Sequence, residues 1–203
     1  GIYIVTCKVY RIERTHFLFN KAGQFGGGIR AKYCKVISIS FSYFGHNFGK
    51  DGTGVHSYKI SILEMCYTNY TLNKINIDGG ALKLYKVMKI NFINCIFLKN
   101  YGLKKGYVLY INSYDNISLS NNVFISNMIS AITVSKGGSI SLKSSSLQKN
   151  TAHDGAAIYV KKCEDMEVIG TSFMFNAASE TSRGIYIEES SKLVIIKNSS
   201  FLY

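Results

Sequence analysis

The sequence contains no proline and no tryptophan, and sets 12 acidic residues against 24 lysines and arginines. It also has no apolar run long enough to cross a bilayer as a helix. Each absence excludes something. A chain of this length ordinarily carries roughly ten prolines; with none, nearly every backbone N–H is available as a donor, which suits a sheet ladder. Scarce acids leave little for the carboxylate clusters with which polysaccharide-cleaving enzymes bind calcium or move protons. The five cysteines, Cys7, Cys34, Cys66, Cys95 and Cys163, match neither zinc spacing nor a C-x-x-C redox motif. With 47% hydrophobic and 18% charged residues over 203 positions, the chain is too apolar for disorder and long enough to bury a core. Gly1-Ile2-Tyr3-Ile4 has no initiator Met, basic n-region or cleavage site, so 1–203 is expected to be one domain of a longer repeat protein.

What is present is a repeat. Segments of the form small, aliphatic, any, aliphatic begin at Ile2, Ile29, Val55, Leu82, Leu109, Ile132, Ile158 and Ile185, in steps of 27, 26, 27, 27, 23, 26 and 27 residues. Eight and ten residues after each start stands an alternating apolar pair, from Tyr10/Ile12 to Met166/Val168 and Leu193/Ile195. Fifteen residues after it stand Phe17, Phe44, Tyr70, Phe97, Phe124, Leu147 and Phe173. Three further on, every complete repeat has an asparagine: Asn20, Asn47, Asn73, Asn100, Asn127, Asn150 and Asn176. Offset thirteen holds a small polar file, Thr15, Ser42, Thr68, Cys95, Asn122, Ser145, Thr171 and Asn198.

This pattern predicts three short strands per repeat, each with one buried face, too short to pair within the repeat and therefore paired with their equivalents in the next. The expected fold is all-β: a single-stranded parallel β-helix of about eight coils of 23–27 residues. One coil buries about five apolar side chains, worth roughly 8–15 kcal/mol, against about 26 kcal/mol or more of backbone entropy, so a coil stands only between neighbours. The asparagines are expected at a corner that tolerates left-handed backbone, their amides bonded in a ladder along the axis. Cys7, Cys34 and Cys163 share offset five with Ile60 and Val87 and suit small core positions; whether Cys7 and Cys34 are thiols or a bridge between adjacent coils stays open.

Glycine motifs precede several starts and an F-x-x-N follows. Examples are Gly79-Gly80-Ala81-Leu82 with Phe97 to Asn100, Gly155-Ala156-Ala157-Ile158 with Phe173 to Asn176, and Gly27-Gly28-Ile29 with Phe44 to Asn47. The pairing resembles the repeat of the chlamydial polymorphic outer-membrane proteins, and similar repeats occur in large surface proteins of protists. The resemblance implies a right-handed, pectin-lyase-like β-helix acting as a surface passenger, adhesin or structural rod.

Two outward columns are candidates for contact. At offset one run Tyr3, Arg30, His56, Lys83, Tyr110, Thr133, Tyr159 and Tyr186, side chains able to stack on sugar rings or hold an anionic glycan. At offset sixteen run Leu18, Thr71, Leu98, Ile125 and Met174, an apolar stripe suited to packing against a neighbour. Sequons at Asn69, Asn116 and Asn198 are candidate glycosylation sites and fit an extracellular or cell-surface chain.

Catalytic signals are thin. Asp51, Asp78 and Asp154 precede glycines at turns, where aspartate is common, and Glu164 and Glu189 would make a poor cation site. His16, His46, His56 and His153 occupy four different offsets and suit solvated or turn positions; Gly26-Gly27-Gly28 and Gly137-Gly138 are expected at turns. No catalytic residue, metal site or cofactor is predicted. The net charge of +12 is scattered without a nucleic-acid-binding motif, so an acidic polysaccharide or acidic partner is expected in place of nucleic acid. The leading reading is a non-enzymatic structural or adhesive rod, able to self-associate or continue into flanking coils as a filament. A glycan-binding module and a polysaccharide lyase or hydrolase are the alternatives.

Overall fold

The structure, a computed structural model, describes residues 1–75, 80–102, 106–189 and 192–203. Asp78 and Gly79, named above as turn residues, lie outside the described residues. The chain is all-β and winds as a right-handed parallel β-helix with seven complete turns and a partial eighth. Every ladder among the described strands is parallel, and up to coil seven the ladders join equivalent residues of adjacent coils: Ile2 pairs with Ile29, Ile29 with Val55, Val55 with Leu82, and at the last start Ile158 with Ile185.

The three-strand expectation needs one change. In the inner coils the first two strands merge into one long bent strand, such as Ile29–Ser40, Val55–Cys66, Gly80–Ile93 and Tyr107–Ser120, within one continuous sheet. The bend falls on a left-handed residue four positions after each start, among them Tyr33, Lys59, Lys86, Ser113, Lys136 and Lys162. Ladder bonds continue through the bend because every coil bends at the same place, and neighbours hold a backbone conformation that is costly for a lone non-glycine residue. A second sheet stacks eight three-residue strands, from His16–Leu18 to Ser200–Leu202.

The inward residues stack in columns. Phe17, Phe44, Tyr70, Phe97 and Phe124 lie face to face with centroids 4.4–5.1 Å apart. Leu147 interrupts the stack, which resumes with Phe173 on Phe201 at 4.6 Å. A Cβ on Gly28 would lie 2.9 Å from the Phe44 ring, and one on Gly54 3.0 Å from the Tyr70 ring. Close packing of ring on backbone therefore links glycine motif and F-x-x-N within a coil.

The asparagines are buried from Asn47 onward, and from Asn47 to Asn150 each uses both amide hydrogens. Asn73 is typical: its Nδ2 donates to Asn100 Oδ1 at 3.0 Å and to the Phe44 carbonyl at 2.9 Å, and its Oδ1 accepts from the backbone and side-chain nitrogens of Asn47, both at 3.0 Å. The expected left-handed corner is displaced by one residue. Phe19, His46, Leu72, Lys99, Ser126, Lys149 and Phe175, each just before the asparagine, take positive φ, turning the amide inward.

Other expectations also need correction. Gly137 and Gly138 lie inside the strand Ser130–Lys143, at no turn. Gly137 stands opposite Tyr114, and a Cβ there would come 2.3 Å from that ring, so a small residue in one coil makes room for a large one in its neighbour. In the last coil the register slips by one: Met166 and Val168 face Val194 and Ile196, displacing the expected Leu193/Ile195 pair. Ser199, one past Asn198, accordingly accepts the Thr171 N–H at 3.2 Å. The Cys7 and Cys34 thiols are free and in contact; burial first, then the Cys34 thiol, pushes Cys7 up to about 11.

Candidate functional site

The column at offset one is a true column: Tyr3, Arg30, His56, Lys83, Tyr110, Thr133, Tyr159 and Tyr186 are successive partners in the long sheet. Strand alternation points these side chains outward, yet they are not uniformly exposed. Tyr3 is 60% exposed, whereas His56, Lys83 and Thr133 are 6%, 8% and 3% exposed. For His56 and Lys83 the cause is the corner segment between the asparagine and the next start, which rises as a wall beside the column; Thr133, a small side chain, is buried against Ser130, to which it is hydrogen-bonded.

Over coils two to four the wall closes on the column. Phe25 packs on His56 with centroids 4.7 Å apart, and the Arg30 guanidinium lies 4.8 Å from the Phe25 ring. Asp51 reaches Lys83, with Oδ1 and Nζ 2.8 Å apart in a nearly dry pair. His56 is thereby held neutral: burial, then the charges of Lys83 and Arg30, push its pKa down to about 4. The solvated or turn position expected for His56 is thus overturned; its backbone is in a strand and its ring under a wall.

Over coils five to seven the wall is open among the described residues. Seven or eight residues lie between the asparagine and the next start in every other complete coil, but only four between Asn127 and Ile132. The short sheet that lines the corners is interrupted here. Phe48–Gly49, Lys74–Ile75 and Tyr101–Gly102 form one piece, Thr151–Ala152 and Ala177–Ala178 another. Above the short corner lies a groove of about 540 Å³. Its floor is Tyr110, Thr133 and Tyr159, flanked by Tyr107 and Lys161, and its rim carries Ser130, His153, Asp154 and Ser179.

The floor is hydrogen-bonded but not sealed. Thr133 Oγ1 donates to Ser130 Oγ at 3.3 Å, and Ser130 Oγ to the Gly155 carbonyl at 2.8 Å. The Tyr159 hydroxyl donates to Glu188, and Lys161 Nζ donates to Glu188 Oε1 at 2.8 Å and lies 3.3 Å from Glu189 Oε1. Burial and then the Glu188 bond push Tyr159 up to about 12, and burial with the neighbouring Tyr85 raises Tyr110, so both phenols stay neutral donors. Tyr159 and Tyr186 lie 5.4 Å apart with planes tilted by 32°, continuing the aromatic surface into the last coil.

One group of metal-ligating side chains converges among the described residues. His153, Asp154 and Glu180 bring their ligand-type atoms within 4.8 Å of one another at the groove rim. Both imidazole nitrogens are engaged, Nδ1 3.4 Å from Asp154 and Nε2 3.0 Å from Glu180, so the geometry is an imidazole bridging two carboxylates across adjacent coils. Glu164 and Glu189, the pair weighed as a cation site, turn to different lysines, Lys192 at 3.5 Å and Lys162 at 2.8 Å.

The offset-sixteen stripe is less continuous than its five members suggest, because Gly45 and Gln148 stand in the same column. Leu18 is 43% exposed, and Leu98, Ile125 and Met174 are half-buried, Leu98 beside Ile125 and Met174 between Gln148 and Leu202. Asn69 is half-buried in the second sheet, Asn116 is exposed on the long sheet, and Asn198 is exposed at a left-handed corner.

Fold and groove together define a parallel β-solenoid notched by one short corner. No family model, curated protein or solved structure matches the chain. No helix among the described residues is long and apolar enough to cross a membrane. Alignment of offsets missed Tyr107, Ser130, His153 and Ser179, since they lie outside the column; the 23-residue step was the signal that marked their meeting point.

Proposed function

We propose that this chain is a non-enzymatic adhesive rod working at a cell surface or outside the cell, and that it holds a glycan in the groove over coils five to seven. One observation carries the reading: a single ladder of aromatic and polar side chains is roofed by its own chain along part of its length and left open where a corner is shortened. A concave surface of a few hundred Å³ with stacking rings and a few fixed hydroxyls is how sugars are gripped, the ring face supplying contact area and the hydroxyls orientation. The asparagine ladder and stacked rings serve that role by stiffness, because a preformed site spends little binding energy on ordering itself.

The pairing of glycine motif with F-x-x-N, similar to that of the polymorphic outer-membrane proteins, agrees with a surface rod, as do the sequons at the exposed Asn116 and Asn198. Continuation into flanking coils or end-to-end stacking into a filament belongs to the same reading, since Val194, Ile196 and Phe201 turn apolar side chains to solvent at the last coil. A lyase or hydrolase would need convergent free carboxylates. In the groove region Asp154 and Glu180 face His153, while Glu188 and Glu189 face Lys161.

Retention on immobilised polysaccharides tests the proposal. The chain should be retained, and Tyr110→Ala/Tyr159→Ala, with unchanged circular dichroism, should not. Retention that ignores both tyrosines would refute the groove, and release of new reducing or unsaturated ends would refute the non-enzymatic part.

A further inference from the structure

The sequence balance of +12 points to an acidic ligand, but the charge is not where the groove is. The cations of the column, Arg30 and Lys83, belong to the closed half. Arg30 lies between the rings of Tyr3 and Phe25 at 5.3 and 4.8 Å, and Lys83 pairs with Asp51 at 2.8 Å. Around the groove, the described ionised groups form two small networks. Lys161 and Lys162 face Glu188 and Glu189, with contacts of 2.8–3.3 Å, and His153 sits between Asp154 and Glu180. In these two networks four carboxylates face two lysines and one imidazole, so each of these cationic side chains already has a carboxylate partner.

We infer that the groove takes a neutral oligosaccharide, and that the acidic polysaccharide suggested by overall composition is not its ligand. The inference rests on the glycan reading above and narrows it to a chemical class. A uronate or sulfate entering here would meet cations already paired with carboxylates, and Lys161 could bind it only by giving up Glu188 and Glu189. A neutral sugar meets no such conflict. Its apolar ring faces match Tyr110 and Tyr159, which stand two coil spacings apart, about 10 Å. Its hydroxyls find partners of both kinds: the Ser179 hydroxyl can donate or accept and the Asp154 carboxylate accepts, while Ser130 and Thr133 already donate to the Gly155 carbonyl and to Ser130. The basic surface outside the groove remains free to keep the rod soluble.

Length is constrained as well. Towards the first coils the column is sealed by Asp51 on Lys83 and Phe25 on His56, so a ligand stops near Tyr110 and cannot run the length of the rod. The site suits a chain end or a short oligosaccharide.

The test is titration of the whole chain with a panel of short oligosaccharides, neutral (glucose-, mannose- and N-acetylglucosamine-based) and acidic (galacturonate and sulfated), read by calorimetry at low and high salt. At least one neutral member should bind, with affinity changing less than about threefold between about 20 and 500 mM salt. Tyr159→Ala should weaken it about fivefold or more. Lys161→Gln, which removes the cation and leaves the tyrosines, should weaken a neutral ligand no more than about threefold, the loss of one neutral contact. Binding confined to acidic members, lost with Lys161→Gln and falling steeply with salt, would overturn the neutral class while leaving a glycan groove. Binding to no member would overturn both that class and the glycan reading.

Discussion

Two stretches of one column behave oppositely. In coils two to four the side chains at offset one are packed under the wall: Arg30 against Phe25, His56 beneath the same ring, Lys83 against Asp51. In coils five to seven the same strand positions floor an open groove. Strand, register and alternation are the same in both, and the difference lies in the corner, where four residues in coil five replace the seven or eight of its neighbours. In a solenoid, a deletion at one corner removes a piece of wall without disturbing the ladders on either side, because each coil is held mainly by its neighbours. One stretch thus adds to stability, and the other is available for binding.

That contrast can be broken from the closed side. Asp51→Ala strands the Lys83 ammonium, only 10% exposed, without its carboxylate, and should lower unfolding free energy by about 3 kcal/mol; an effect well under 1 kcal/mol would mean that the wall adds little there. Acid should act on the same half. His56 in the folded chain has its pKa pushed down to about 4, from 6.5. Between those values the unfolded chain takes up a proton that the folded chain refuses, so the contribution is fully present above pH 6.5 and is lost as pH falls toward 4. The loss should total about 3 kcal/mol, and His56→Gln should flatten the stability curve over that window in denaturant titrations.

Smaller changes sharpen the comparison. Phe25→Ala lifts the lid from His56 and Arg30 at a cost of about 2 kcal/mol, and should raise the His56 pKa toward its ordinary value, read by NMR titration of the ring. On the open side, Tyr159→Ala should cost less than about 1 kcal/mol of stability, since the ring is only partly buried, while still abolishing retention when combined with Tyr110→Ala. If the open-half variants proved as destabilising as the closed-half ones, the division of labour would fall.

The fold was legible because a solenoid writes its geometry as columns. Eight starts, seven phenylalanine-class positions and seven asparagines define coil, corner and register without any structure. The left-handed residues before each asparagine were not legible: Phe, His, Leu, Lys and Ser share no chemistry, and only the stacking of identical corners makes positive φ tolerable there. Gly137 was misplaced at a turn because its reason lies in another coil, the Tyr114 ring that fills its space. The candidate site was half legible. Alternation put Tyr110, Thr133 and Tyr159 on one outward line, but it cannot report what covers that line. His56 and Lys83 were therefore grouped with residues whose surroundings they do not share. The irregular 23-residue step held the missing information, expressed as wall height and not as any residue type.

The most direct test of the notch restores the missing wall. Four residues, Ala-His-Asp-Gly as at Ala152-His153-Asp154-Gly155, are inserted between Ile129 and Ser130, bringing the coil-five corner to eight residues. Affinity for the oligosaccharide is then measured beside a control with the same insertion after Gly23, where a side chain would meet nothing within 4 Å. Loss of binding in the first, with far-ultraviolet dichroism retained and binding intact in the control, is the predicted result. Undiminished binding in a folded chain with the corner restored would contradict it.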